Sequence, residues 1–107
     1  MDYNVTALCG KLIAAPELRT FESGSVLLRI LVRVRSETPR RRVDVIPVTF
    51  WEPEPKHPLR EAKVGDRVFV VGAVQRRFWS GKEGRQSRLE VVAEAVTVNE
   101  EKEYANL

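Results

Sequence analysis

Residues 26–35 read Val-Leu-Leu-Arg-Ile-Leu-Val-Arg-Val-Arg. In an extended chain Leu28, Ile30, Val32 and Val34 fall on one side, and Arg29, Arg33 and Arg35 on the other. That alternation suits a strand with one face in a core and one in water, and it does not suit a helix. Residues 3–12, 42–51, 67–79 and 87–98 are further β-rich runs. Pro47 cannot donate to a ladder, so its strand has an edge or a bulge there. Gly10 and Gly72 lie inside strands, where glycine marks a bulge or the close approach of another backbone. The chain has 107 residues, enough for one domain and too few for two independent cores.

The connectors set the order. Residues 15–25 form a loop with room for a short strand near 19–22, and Ser36 to Arg41, with Pro39, link the second and third strands. Pro58 opens a short helix, Leu59 to Lys63 continue it, and Gly65 closes it. Ser80-Gly81-Lys82-Glu83-Gly84 is a hairpin turn. Three strands, a helix and two strands is the order of an OB-fold, an all-β, five-stranded barrel with one short helix between strands three and four. The barrel is expected to occupy residues 1–99, with 100–107 a short polar end.

A formal charge of +3 hides a pattern. Arg29, Arg33, Arg35, Arg40, Arg41 and Arg42 share residues 29–42 with one acid. Arg76, Arg77, Lys82, Arg85 and Arg88 share residues 75–88 with one acid. Both segments fall on the elements where an OB-fold holds oligonucleotides or sugars: strands two and three and the last hairpin. Arginine grips phosphate in a planar fork and stacks on flat rings, so a polyanion surface is expected.

Single-strand binding without sequence preference also needs rings on which bases stack. Trp79 shares strand parity with Arg77 and Gln75, which sends it outward and Phe78 inward. Phe50 shares parity with Asp44, and Trp51 with Val43 and Val45, which makes Phe50 the exposed ring. Other classes find little support. One cysteine, Cys9, rules out an internal disulfide framework; in an apolar strand it is expected to be buried and inert. One histidine, His57, reads as a loop residue and leaves little for a metal site. No Walker-type loop or nucleophile–base set is present, so neither an enzyme nor a cofactor is expected. The chain has no apolar run of membrane-spanning length and no secretion signal at its start, which points to the cytoplasm.

Several segments resemble bacterial-type single-stranded DNA-binding proteins. They are Asn-Val-Thr-Ala-Leu-Cys-Gly-Lys-Leu (4–12), Pro-Glu-Leu-Arg (16–19), Val-Thr-Phe-Trp (48–51), Lys-Val-Gly-Asp-Arg-Val-Phe-Val-Val-Gly (63–72), Gln-Arg-Arg-Phe-Trp (75–79) and Glu-Val-Val-Ala (90–93). The resemblance implies an OB-fold assembled into homotetramers or homodimers through the first strand. It implies no enzymatic activity, and protection of single-stranded DNA in replication, recombination and repair. It implies base stacking by Trp79 and Phe50 and basic contacts by Arg77 and Lys63. Departures are visible. Asp44 and a position near Thr38 stand where the family has further stacking tryptophans, and Glu52 stands at a usually basic position. The resemblance implies an acidic tail that recruits replication and repair proteins, and residues 100–107 carry no match to it. A short, tailless chain is also similar to primosomal replication proteins, OB-fold adaptors acting mainly through protein contacts in replication restart.

Overall fold

A computed structural model describes residues 1–99. Its strands are β1 (Thr6–Leu12), β2 (Glu17–Thr20), β3 (Val26–Ser36), β4 (Arg42–Trp51), β5 (Arg67–Gly81) and β6 (Gly84–Asn99). They form one sheet in the order β1-β5-β6-β4-β3-β2. Lys11 and Leu12 of β1 also pair with Arg33 and Val32 of β3, which closes the sheet on itself. Five strands therefore make the barrel of an OB-fold, as the order of elements predicts. The sixth, β2, is a short edge strand lying along the first part of β3.

The inward row of β3 is the one its alternation marks. Leu28, Ile30 and Val32 are at most 2% exposed and pack with Val48, Val68 and Val70. Each such side chain contributes roughly 1.5–3 kcal/mol when fully buried. Gly10 and Gly72 both answer to close backbone approach. A Cβ on Gly10 would collide with the carbonyl oxygen of Arg33 at the seam, and one on Gly72 with that of Val92 beside the bulge in β6. Pro47 lies just before the short parallel pairing of β4 with β6, which joins Val48 to Val91 and Thr49 to Val92. Its missing donor therefore falls on a stretch of β4 that pairs with β3 alone.

Four local expectations are corrected. The helix is a single 3-10 turn, Pro58–Glu61. The Asp66 carboxylate accepts from the Lys63 backbone N–H at 2.9 Å, and the Gly65 N–H donates to the Leu12 carbonyl at 2.8 Å. These bonds turn the chain into β5 before a second helical turn forms. The turn still places Leu59 and Ala62 in the core. His57 caps it: its Nδ1 accepts from the Leu59 N–H at 3.0 Å.

Cys9 is exposed, because it belongs to the outward row of β1. Phe78 is exposed as well as Trp79, at 52% and 42%. The β5–β6 ribbon runs beyond the barrel, and past its rim neither face meets a core. Phe50 and Trp51 exchange the orientations that parity with Asp44 predicts. Phe50 pairs with Leu28 in the inward row, packs against the core and meets His57 edge-on at 5.1 Å. Trp51 is the outward ring, 46% exposed. Asp44 misled the parity because the Arg42 end of β4 overruns the barrel, so the inward row there is no longer apolar.

Candidate nucleic-acid interface

A cleft of about 320 Å³ opens on the outer face of β3, lined by Arg19, Arg29, Arg77, Trp79 and Arg88. Arg29 projects from the outward row of β3. Its cross-strand neighbour on β4 is Thr49, too short to cover it, and on β2 it is Glu17. Arg19 comes from β2, where its exposed carboxylate neighbour Glu17 lies 3.0 Å from its Nε. The ribbon supplies the opposite wall. Arg77 and Arg88 are cross-strand partners, and Trp79 follows Arg77 on the same face.

Burial lowers the Arg29 pKa from its ordinary value, and the like charges of Arg77, Arg19 and Arg88 lower it further, with Glu17 acting in the other direction. An arginine stays charged through such a shift. The cleft is thus a concentration of mutually repelling guanidinium groups, which a bound anion relieves. Among the described residues, the buried Arg29 Nε and Thr49 Oγ1 have no hydrogen-bond partner. The arrangement can grip phosphate oxygens with guanidinium forks and hold a flat ring against Trp79.

Of the residues singled out from sequence, Arg29, Arg77, Arg88 and Trp79 meet here. Arg33 and Arg35 lie farther along β3, beside β1. Arg76 and Arg85 occupy the other face of the ribbon, where Arg76 donates to Ser87 Oγ at 3.2 Å and Arg85 sits 4.5 Å over the Phe78 ring. Lys82 is in the hairpin turn. Arg42 is engaged by Asp44 through two bonds of 2.9 and 2.8 Å, which raise its pKa. Arg41 lies 3.6 Å from Glu37, and Arg40 is exposed in the same loop. Lys63 is exposed on the connector that leads into β5. Phe50 is inside.

Sequence reasoning missed Arg19, which lines the cleft, and leaned to Phe50 over Trp51 as the outward ring. Arg19 sits on the first loop's strand, an element this fold sets beside its binding face, and that position was its available signal. Trp51 stacks on Phe21 with ring centroids 5.6 Å apart, in the same cross-strand row as Arg19. Parity counted from buried Val48 rather than from Asp44 gives its direction. Glu52 has a structural duty. Its carboxylate accepts from the Val26 N–H at 3.0 Å and its own N–H donates to the Val26 carbonyl at 2.8 Å, which closes the β3–β4 ladder.

A closed OB barrel with a cleft of arginines around a tryptophan defines an OB-fold binding protein. The model of the Single-strand binding protein family matches residues 3–99, and the chain belongs to that family, whose members are not enzymes. Single-stranded DNA-binding protein 1 of a Nostoc species is 24% identical over 83 residues, which cover 78% of this chain and 70% of that one. The Single-stranded DNA-binding protein of Anabaena variabilis aligns with the same identity and coverage. Among solved structures, a chain titled Plasmodium falciparum SSB complex with ssDNA superposes with a TM-score of 0.77. The match is 13% identical and covers 95% of this chain and 97% of that one, a likeness of fold. Among the described residues no helix is long and apolar enough to cross a membrane.

Proposed function

We propose that this protein binds single-stranded DNA without reading its sequence, and protects single strands in replication, recombination and repair in the cytoplasm. The cleft of Arg19, Arg29, Arg77 and Arg88 around Trp79 is the observation that carries the reading. The guanidinium groups neutralise backbone phosphates, and Trp79 stacks a base. Every base has a π-face, so stacking tolerates any sequence. Among the described residues, the cleft is lined by no Asn, Gln or carboxylate side chain that would pair with base edges. Membership of the single-strand binding family and the names of the relatives support the same reading. Trp51, stacked on Phe21, supplies a second ring in place of Phe50. Arg40, Arg41 and Lys82 add to the positive field around the cleft, and no enzymatic step is involved.

We also propose a homodimer or homotetramer formed through β1. On the side away from β5, Thr6–Gly10 have no strand partner among the described residues. The outward row beside that edge is apolar, with Ala7 opposite Val71 and Cys9 opposite Phe69.

Titration of the intrinsic tryptophan fluorescence with oligo(dT) at several salt concentrations tests the DNA reading. Stoichiometric quenching is expected, with log K falling against log salt by about 0.7 for each phosphate contact. Trp79→Ala is expected to cost on the order of 1–3 kcal/mol in binding. Absence of binding to any length at low salt sinks the reading. Normal binding by Trp79→Ala removes the stacking role.

A further inference from the structure

A second cationic cluster lies on β3, outside the Trp79 cleft. At the seam where β1 closes on β3, a concave site of about 160 Å³ is lined by Cys9, Gly10, Lys11, Arg33, Arg35 and Arg67. The register assembles it. Lys11 stands opposite Arg33 on one side and Arg67 on the other, so three cations share one row. Arg35 follows Arg33 in the outward row of β3. Gly10 lets the β1 and β3 backbones come close enough for that row to form. Among the described residues, no acidic side chain lines the site.

The two clusters share an unusual feature. Among the described residues, the Nε atoms of Arg29 and Arg33 are both buried without a hydrogen-bond partner, one in each cluster. Buried polar groups are normally paired. An anionic oxygen is the acceptor that suits a guanidinium, through a short charge-assisted bond.

We infer that the seam cluster is a second phosphate subsite, and that a bound single strand runs lengthwise along the outer face of β3 from the Trp79 cleft to this seam. The inference rests on the single-strand reading above and gives it a direction and a length. Arg29 and Arg33 lie four residues apart on one face, which is about 13 Å at a strand's rise. At roughly 3.4 Å for each nucleotide of a stacked strand, that is about four nucleotides. The outward side chain between them is Leu31, 36% exposed, an apolar surface over which a base or sugar can lie. A strand that fills both subsites stays within the roughly 4–16 nucleotides that one OB-fold covers. A small phosphate compound reaches only one cluster at a time, whereas a continuous strand joins both.

The test compares the wild type with a double variant, Arg35→Gln with Arg67→Gln. Both positions are exposed, and the urea midpoint checks that the fold is kept. Each protein is titrated with oligo(dT) of about three and about nine nucleotides across a salt series, with inorganic pyrophosphate as a competitor. Wild-type affinity is expected to rise with the longer strand. The variant should lose that rise, and its salt slope on the longer strand should be shallower by about 1.4, two contacts' worth. Its affinity for the shorter strand should be unchanged. A variant that keeps both the rise and the slope overturns the second subsite. Equal competition by pyrophosphate against both strand lengths also overturns it, because it marks a site for free phosphate compounds. Absence of fluorescence quenching at any length overturns the single-strand reading itself, a result distinct from quenching without a length effect.

Discussion

Phe50 and Trp51 are adjacent aromatic residues with opposite surroundings. Phe50 packs on the core and against His57, whereas Trp51 stands outside on Phe21. Phe50→Ala should therefore lower stability by on the order of 3 kcal/mol, seen as a lower urea midpoint, with little change in the DNA affinity of the folded protein. Trp51→Ala should do the reverse and weaken oligo(dT) binding by about 1 kcal/mol with a smaller effect on the midpoint. An affinity loss in Phe50→Ala at an unchanged midpoint would restore Phe50 as the stacking ring. At this scale Arg29, Arg77, Arg88 and Trp79 were legible because each lies in a run whose alternation or local charge gives its side. Arg19 was not, since four residues of an edge strand carry too little periodicity to show where they point. The pairing of Arg42 with Asp44 was hidden as well, because counting charge treats every arginine as free.

The strands and their order were legible because period-two burial is written into β1, β3, β5 and β6. What the pattern does not carry is where a strand leaves the barrel. β5 and β6 together make a ribbon that passes the rim, and from there Arg76, Phe78 and Arg85 face water on one side while Arg77, Trp79 and Arg88 face the cleft on the other. The glycines separate two situations that look alike in sequence. Gly10 stands where β1 crosses the Arg33 carbonyl, whereas a Cβ on Gly81 would make only an ordinary contact, 3.5 Å from the Gln86 side chain. Gly10→Ala is expected to prise the seam apart, with a cost of about 1–3 kcal/mol and a lower Tm. Gly81→Ala should leave Tm nearly unchanged. Equal effects of the two substitutions would mean that the seam is not the constraint the backbone spacing makes it.

The molecule presents two unlike surfaces. One is the cationic outer face of β3 with the β5–β6 ribbon, and the other is the apolar outer row of β1 and β5. On the second, Val5 is 75% and Phe69 46% exposed. A small barrel can bury only a modest core, so covering this row with a second copy adds stability that the single chain lacks. The proposed assembly would also change DNA binding. Two chains joined at β1 carry two clefts, and a strand long enough to reach both gains through effective concentration without any new contact. Phe69→Asp places a carboxylate on the row that the partner would cover, and the Phe69 ring takes no part in the barrel core. The variant is expected to sediment as a single chain. It should keep wild-type affinity for oligo(dT) too short to reach a second cleft, and lose the added affinity of long strands. If the wild type itself sediments as a single chain at micromolar concentration, the apolar row is not a self-association surface. Long and short strands should then differ only by the number of phosphate contacts within one cleft and its seam.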